Sequence, residues 1–364
     1  MKITISKSEL IKGTTIVSKA VPSKTVMPIL ECILLSAHGD ELVMCANDME
    51  MAITTRVECL VDEEGEIAVE AALLHEIAKK LPDGDVLIAQ IGQKAVLTAE
   101  DFKLELPIAD YTQFPNMPSI DKERSFEIPQ NILKTMITQT IFACSDEEKN
   151  EVISGLNLKV KNGKAKITGL DRKRIATRVC DIADADMTED TILPGKTMNE
   201  IRKILSDDES NANISISDSL VMFSFGKTVL TSRIIAGEYM DIDALLEKAN
   251  SITKAIIDKS SLYECLDRAM LIEKVEDMKP IIFDMSNEKV NLSIKTSRGA
   301  INETISAIVE GEDLMIGFDP RVFLDMLKVY DEEEVILEFN GNNQPCFVHS
   351  KDDKFTYLAL PVTI

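Results

Sequence analysis

The sequence LLHEIAKKL at residues 73–81 decides the fold of the whole chain, because related stretches occur twice more. MNEIRKIL occupies residues 198–205, and RVFLDMLKVY occupies residues 321–330. In each stretch a carboxylate is followed three positions later by a lysine, and the three pairs are Glu76–Lys79, Glu200–Lys203 and Asp325–Lys328. Successive carboxylates are separated by 124 and 125 residues. A period of this length is that of a small domain and predicts three copies of one structural unit.

The segments around these stretches repeat in the same order. A helical pattern leads each copy, at residues 6–21, 129–143 and 259–273. Alternating apolar and polar residues then indicate strands, which are joined by the turns HGD at 38–40, KNG at 161–163 and SNE at 286–288. Further alternating strands follow each LLHEIAKKL-like helix. We therefore predict an α+β fold in which every copy has two helices packed on antiparallel sheets.

Two segments rich in turn-forming and polar residues separate the copies, at residues 107–125 and 236–251. They predict three domains, at residues 1–121, 122–247 and 248–364. The hydrophobic content of 45% is sufficient for a core in each domain. Aromatic residues make up only 5% and tryptophan is absent, so we expect the cores to consist mainly of Ile, Leu, Val and Met.

Cysteine usage favours a cytoplasmic protein. There are seven cysteines, which is an odd number, and no two of them have C-x-x-C spacing. This pattern indicates a reducing compartment rather than a disulfide framework or a zinc site. The N-terminal sequence MKITISKSEL lacks the apolar core of a signal peptide. No apolar run reaches transmembrane length. We expect no membrane partner, no metal and no cofactor.

Basic residues take regular positions although the net charge is −22. Taken alone, this charge argues against a nucleic-acid partner and indicates an acidic, solubilising surface. Lys79, however, lies about 200° around the helix from Ile77, which we expect to face the core. Lys203 and Lys328 take the same position in the other copies and predict a shared basic surface. The alternative is an ordinary solvated helix face of mixed charge.

Further basic residues extend the predicted surface. Lys12 and Lys134 correspond to each other in the leading helices of the first two copies, and Lys19 and Lys24 follow in the first. The surface that we predict comprises Lys12, Lys24, Lys79, Lys134, Arg202, Lys203, Arg268 and Lys328.

Over its whole length the chain resembles the bacterial DNA polymerase III beta subunit family, the sliding clamps. The triple repeat carries the resemblance, together with the segments SKTVMPILECILL (23–35), ANDMEMAITTRV (46–57), FEIPQNILK (126–134), SRIIAGEYMD (232–241), IGFDPRVFLDMLK (316–328) and YLALPVTI (357–364). The resemblance implies a non-catalytic homodimeric ring, joined head to tail, with twelve helices around duplex DNA. An acidic exterior and a basic bore would reconcile the net charge with DNA binding that reads no sequence.

The resemblance also implies protein partners and a site for them. The expected partners are a clamp loader, the DNA polymerase III alpha subunit and other proteins that carry a clamp-binding motif. Their peptides would occupy an apolar pocket between the second and third copies, extended by the C-terminus. The residues carried over are Ile153, Leu170, Ile175, Met240, Leu245, Leu358, Leu360, Pro361 and Val362, with Lys173 and Arg174 at the rim.

Two segments of this pocket depart from the family pattern. Residues 170–175 read Leu-Asp-Arg-Lys-Arg-Ile where the family usually has Thr-Asp-Gly-His-Arg-Leu. The chain ends in Leu-Pro-Val-Thr-Ile where the family often has Met-Pro-Met-Arg-Leu. Met240 also replaces a usual proline. We therefore expect the pocket to be present with a different peptide preference.

The family's ring joint pairs the first copy of one chain with the third copy of the next. By position, Phe102 and Leu104 would meet Leu271 and Ile272 across this joint. Two chains close such a head-to-tail ring if the rotation at each joint permits it. Edge strands on both sides would then pair, which removes two exposed edges.

Two other functional classes compete with this interpretation. The histidines His38, His75 and His349 have no neighbours at metal-ligand spacing, and neither a phosphate-binding G-x-x-x-x-G-K-[ST] nor a G-x-G-x-x-G sequence is present. A hydrolase with a site in a domain cleft therefore has little support. An acidic scaffold that binds proteins without encircling DNA is the other alternative. Retention on circular but not linear DNA distinguishes a clamp from both.

Overall fold

The computed structural model describes residues 1–118, 120, 124–145, 150–183, 187–246, 251–272, 279–286 and 289–364. The domain boundaries predicted at 121–122 and 247–248 lie outside the described residues. So do Asn287 and Glu288 of the third predicted hairpin turn.

The helices of the described residues are α1 (Lys7–Val17), α2 (Ala71–Lys80), α3 (Gln130–Ile141), α4 (Glu151–Ser154), α5 (Gly195–Ile204), α6 (Asp243–Leu246), α7 (Lys259–Met270) and α8 (Pro320–Val329). The strands are β1 (Lys2–Ser6), β2 (Cys32–His38), β3 (Glu41–Asn47), β4 (Met51–Glu58), β5 (Leu60–Glu63), β6 (Gly65–Glu70), β7 (Asp85–Ile91), β8 (Lys94–Ala99), β9 (Phe102–Pro107), β10 (Ser125–Pro129), β11 (Gly155–Lys161), β12 (Lys164–Leu170), β13 (Arg174–Asp181), β14 (Glu189–Pro194), β15 (Asn211–Ile216), β16 (Leu220–Phe225), β17 (Thr228–Arg233), β18 (Thr253–Asp258), β19 (Ile281–Ser286), β20 (Lys289–Thr296), β21 (Gly299–Gly311), β22 (Leu314–Phe318), β23 (Glu334–Phe339), β24 (Cys346–His349) and β25 (Phe355–Ala359).

The repeat-carrying helices form where the sequence predicts them, as α2, α5 and α8. Each buries an apolar stripe: Leu74, Ala78 and Leu81 at α2, Met198, Ile201 and Leu205 at α5, and Val322, Phe323, Met326 and Leu327 at α8. The leading helices form as α1, α3 and α7. The α+β class and the antiparallel sheets are confirmed.

Local signals account for several helix boundaries. Ser6 accepts a hydrogen bond from the backbone N of Glu9 at 3.2 Å and caps α1. Asp319 accepts one from the N of Arg321 at 3.0 Å, and Pro320 opens α8. Gly13 allows α1 to lie close to its sheet, because a Cβ there would be 2.5 Å from the Met44 sulfur.

The chain divides into two compact units, whose boundaries fall within α3 and α5. The first unit comprises Met1–Leu133 and Glu200–Ile234. It contains a five-stranded sheet, ordered β5-β1-β7-β8-β9, and an eight-stranded sheet, ordered β10-β15-β16-β17-β4-β3-β2-β6. Pairing of β17 with β4 joins strands of the first and second repeats, with Thr228 opposite Thr55. Their hydroxyl oxygens lie 2.8 Å apart in a buried hydrogen bond.

The second unit comprises Lys134–Asn199 and Ile235–Ile364. Its twelve strands follow the order β14-β11-β12-β13-β25-β24-β23-β18-β21-β20-β19-β22. Here β13 pairs with β25 and joins the second repeat to the third, with Ile175 opposite Leu358. The pairing of β13 with β25 within this sheet positions the candidate partner pocket.

Aromatic residues contribute more to the core than the composition suggests. Phe283, Phe318 and Phe323 form a cluster in the second unit with ring centroids 5.0 to 5.7 Å apart. Tyr330 and Tyr357 are among the largest fully buried side chains. Ile, Leu, Val and Met nevertheless form most of the core of the second unit, as predicted, and the aromatic rings are concentrated locally within it.

Candidate nucleic-acid interface and partner pocket

The three repeated lysines lie on exposed helix surfaces. The exposed fractions of the side chains are 47% for Lys79, 42% for Lys203 and 55% for Lys328. Each lies away from the buried stripe of its helix, as the spacing predicts. A flexible ammonium group at such a position can reach a phosphate oxygen without any change in the core.

Each of these lysines is bonded to the carboxylate one helical turn before it. The Nζ–Oε1 distances are 2.9 Å for Lys79–Glu76 and 2.7 Å for Lys203–Glu200. The corresponding Nζ–Oδ1 distance for Lys328–Asp325 is 3.2 Å. The hydrogen bond and charge of Lys79 lower the pKa of Glu76, so this pair is ionised at neutral pH. Exposed pairs of this kind contribute little to stability.

The other predicted basic residues take less uniform positions. Lys12 on α1 is 62% exposed and lies 3.4 Å from Glu9. Lys24 is exposed in the segment between α1 and β2, whereas Lys134 on α3 and Arg202 on α5 are half-buried.

Arg268 on α7 is committed to carboxylates. Its Nε donates to Oε2 of Glu303 at 3.1 Å, and its guanidinium makes a second bond to the same side chain. Glu264 lies 3.5 Å away. A phosphate would have to compete with these two carboxylates for the guanidinium, and the contact of Arg268 with DNA stays a prediction.

An apolar cluster forms where β13 pairs with β25. It brings together the predicted residues Leu170, Ile175 and Leu358, with Ile153 packed against them. The sequence analysis missed Ile242 and Phe347 in the buried set and Tyr239 and Leu246 at its margin. Ile242 and Leu246 have a detectable signal, because they are four residues apart in a segment that continues into the short helix α6. Phe347 has no local signal, because pairing of β24 with β25 brings it there.

The C-terminal segment runs beside this cluster. The backbone N of Leu360 donates to the carbonyl of Lys173 at 2.8 Å, and the N of Val362 donates to the carbonyl of Gly317 at 2.8 Å. Leu360 and Val362 remain 41% and 40% exposed, and Pro361 lies between them, half-buried. The backbone is therefore fixed while apolar side chains stay accessible to a ligand.

The two predicted rim residues differ in exposure. Lys173 donates to Asp319 at 2.6 Å and its side chain is 44% exposed. The Arg174 side chain is only 13% exposed; it bonds Asp171 at 3.0 Å and Asp325 at 2.8 Å. Arg174 therefore ties the second repeat to α8 of the third and stands behind the pocket rather than on its rim.

Met240 and Leu245 are not part of the apolar cluster. They are 59% and 51% exposed. Met240 borders a polar cavity of about 120 Å³ that is also lined by Lys159, Lys166 and Asp243 and that shares Tyr239 and Ile242 with the cluster. The Lys166 hydrogen bond lowers the pKa of Asp243. Met240 and Leu245 can therefore contribute to the pocket only at its outer margin.

The predicted joint residues lie near two open sheet edges. β9 is an outer strand of the five-stranded sheet, with Phe102 39% exposed and Leu104 half-buried. In the third repeat Leu271 is 71% exposed, whereas Ile272 packs against the buried core. Residues 299–306 of β21 pair with β20 and residues 307–311 pair with β18. Among the described strands, residues 299–306 therefore have one free edge.

Comparisons with known proteins agree along the whole chain. Family models match the N-terminal domain of the DNA polymerase III beta subunit at residues 1–118, its central domain at 127–241 and its C-terminal domain at 248–363. The beta sliding clamp of Bacillus subtilis is 30% identical over 100% of this chain and 99% of its own length. That of Staphylococcus aureus is also 30% identical, with the same coverage.

Solved structures show the same relationship. A putative DNA polymerase III beta subunit from Eubacterium rectale has a TM-score of 0.93 and 38% identity, covering 100% of this chain and 99% of its own. A sliding clamp from Pseudomonas aeruginosa, solved with griselimycin bound, has a TM-score of 0.95 and 25% identity with full coverage of both chains.

Proposed function

Because the chain belongs to the DNA polymerase III beta subunit family and is a sliding clamp in DNA replication, we propose that two copies encircle duplex DNA through the repeated lysines. The observation that carries this proposal is the exposed lysine at one position of α2, α5 and α8. Two chains would present six such charges around the duplex. Phosphates offer the same target at every step, so these contacts hold the protein without reading sequence.

Lysine suits this role chemically. Its ammonium group is a mobile point charge that bonds one phosphate oxygen at a time, whereas arginine forms fixed bidentate contacts. Contacts of the first kind exchange as the DNA moves. The guanidinium of Arg268 makes two bonds to Glu303, whereas each repeated lysine makes one bond to the carboxylate of its own helical turn. The lysines can therefore exchange their partner for a phosphate more easily.

The proposed ring closes by a head-to-tail joint between the first repeat of one chain and the third repeat of the next. The free edges of β9 and of residues 299–306 of β21 support it, because an unpaired edge is satisfied by another strand. Phe102 and Leu104 would pack with Leu271 and Ile272 of the partner chain.

The apolar cluster around Leu170 and the accessible Leu360 and Val362 support a docking site for short peptides with apolar anchors. We assign this site to the replicative polymerase alpha subunit, the clamp loader and other proteins with a clamp-binding motif. Griselimycin binds the Pseudomonas aeruginosa relative, and the same pocket is the natural candidate for such a ligand here.

The remaining features complete the proposal. We assign three domains at residues 1–121, 122–247 and 248–364, a cytoplasmic location and no catalytic activity. Burial raises the pKa of Cys180 to about 11 and that of Cys265 to about 12, so these thiols stay protonated and are poor nucleophiles. No helix among the described residues has both the length and the apolar character of a membrane span.

Retention on DNA of defined topology tests the proposed function. Protein assembled on a closed circular duplex is expected to co-elute with it in gel filtration and to be lost after a single restriction cut. The same duplex cut before assembly is the control. Equal retention before and after cutting indicates ordinary surface binding, and no retention at all favours the acidic scaffold; either contradicts encirclement.

A further inference from the structure

The carboxylates of the repeat have no role in the function described so far. Glu76, Glu200 and Asp325 precede the proposed DNA-contacting lysines by three residues and bond them directly, at 2.9, 2.7 and 3.2 Å. On α1, Glu9 takes the same position relative to Lys12 at 3.4 Å. Residues three apart share one face of a helix. The acidic groups therefore lie on the same surface as the lysines.

Stability alone gives a weak reason for this arrangement. Exposed ion pairs contribute little to the free energy of unfolding. The Glu200 side chain is only 17% exposed, and its Oε2 is buried without a partner among the described residues. A half-satisfied buried carboxylate is a cost to folding. Its position beside a repeated lysine indicates a role in what that lysine binds.

Resting on the proposed function, we propose that Glu76, Glu200 and Asp325 compete with DNA phosphates for the repeated lysines and so keep the clamp mobile. A lysine that leaves one phosphate returns to its own carboxylate before it meets the next. Because both acceptors are anionic oxygens, the exchange involves only a small difference in free energy. Neutral residues at these positions would leave the ammonium groups dependent on phosphate and would hold the ring in place.

Glu76 and Glu200 provide the clean test, because Asp325 also accepts a hydrogen bond from Arg174. In the Glu76→Gln, Glu200→Gln double variant, affinity for a fluorescent 30-base-pair linear duplex should rise on the order of tenfold at low salt. The gain should shrink as salt screens the charges. The slope of log affinity against log salt should become steeper. If the double variant is unstable, Glu76→Gln alone provides the test, because this carboxylate is 58% exposed. The single variant should show part of the gain in affinity.

Glu58→Gln combined with Asp218→Asn is the matched control. These carboxylates pair with Lys227 and Arg124 but lie on a strand and a turn instead of a helix. The control removes the same two negative charges and should leave DNA affinity unchanged. An equal gain in the control would reduce the effect to net charge and overturn the inference.

The lysine variants separate this inference from the function on which it rests. If Lys79→Ala with Lys203→Ala weakens DNA binding but the glutamine variants bind as the wild type does, the competition is refuted and the DNA surface stands. If the lysine variant also binds as the wild type does, the DNA surface itself is wrong. The predicted result is that the glutamine variants bind DNA more strongly than the wild type, whereas the matched control variant does not. The loaded ring of the glutamine variants should also diffuse more slowly along DNA.

Discussion

The lysine surface and the partner pocket are distributed differently over the three repeats. The lysine–carboxylate pair occurs on α2, α5 and α8, whereas the cluster of Leu170, Ile175 and Leu358 forms where β13 meets β25. In the proposed function, DNA presents equivalent phosphates along its length, so the same lysine position in each repeat can contact it. A peptide has a specific order of side chains, so its pocket requires residues that differ between the second and third repeats. The repeated lysines therefore suit a repetitive ligand, and the pocket, which occurs at one junction, suits a ligand that is not repetitive.

The two regions also differ in rigidity. The lysine side chains are 42 to 55% exposed, and within the described part of the chain they bond only the carboxylates of their own helical turns. The pocket rests on buried apolar groups and on Arg174, whose side chain is 13% exposed. Substitutions of the exposed lysines should mainly change DNA binding rather than stability. Substitutions in the partner pocket should change both stability and peptide binding.

The largest expected effect concerns ring closure, on which the proposed encirclement of DNA depends. Leu271→Asp should abolish dimerisation, because a charge would be buried at each of two joints at a cost of several kcal/mol. Leu271 is preferable to Ile272, which packs against the core of its own domain. Leu60→Asp is the control, since Leu60 is similarly exposed at 69% against 71%. Light scattering at low micromolar concentration gives the mass; a dimeric Leu271→Asp protein would show that the joint lies elsewhere.

A second variant tests the rigidity of the pocket. Arg174→Ala should lower the free energy of unfolding by about 3 kcal/mol, because Asp171 would lose its partly buried cation and Asp325 would keep only the exposed Lys328. Arg124→Ala removes an exposed pair with Asp218 and should change stability by less than about 1 kcal/mol. Chemical denaturation measures both. Equal small effects would mean that Arg174 is a rim residue after all.

The third prediction separates the pocket from the ring. Deletion of residues 360–364 should reduce the affinity for a polymerase-derived clamp-binding peptide on the order of 100-fold, while the protein stays dimeric, because apolar anchors dominate such sites. The combination Leu360→Ala and Val362→Ala keeps the backbone bonds to Lys173 and Gly317 and should give most of the loss. Calorimetric titration measures the affinity, and an unchanged value would remove the C-terminus from the pocket.

The smallest expected effect is a pH dependence of stability that arises from His75, whose pKa responds to the charge of Lys79. Burial and the charge of Lys79 lower the pKa of His75, which lies 3.1 Å from the Thr14 hydroxyl. As pH falls through about 6.5, His75 is therefore protonated in the unfolded chain before it is protonated in the folded protein. Stability is therefore full above that pH and declines below it, by less than about 1 kcal/mol. This contribution should disappear in His75→Gln and persist in His38→Gln, as judged by unfolding between pH 5 and 7.5.

The sequence predicts the repeated elements well because their signals are local. The buried stripes of α2, α5 and α8 and the outward position of Lys79 follow from spacing within one or two helical turns. Pairing between repeats was not predictable in this way. Thr55 and Thr228 are 173 residues apart, and nothing in either strand specifies the other.

The same limit explains the gaps in the candidate site. Phe347 and the buried bonds of Arg174 depend on pairing and packing between the second and third repeats, so composition and periodicity do not reveal them. The resemblance to the family placed Arg174 at the rim, but Asp171 and Asp325 hold its side chain in the interior. Long-range ion pairs override the usual preference of arginine for the surface.

The salt dependence of DNA binding in a variant that carries Lys79→Ala, Lys203→Ala and Lys328→Ala tests the central claim most directly. Each phosphate contact contributes about −0.9 to the slope of log affinity against log salt. The variant should bind a linear duplex more weakly and with a clearly flatter slope. Unfolding is measured in parallel, because Lys203→Ala removes the lysine that is bonded to the Glu200 carboxylate, which is only 17% exposed. Equal slopes for variant and wild type would show that these lysines do not face DNA and would contradict the account.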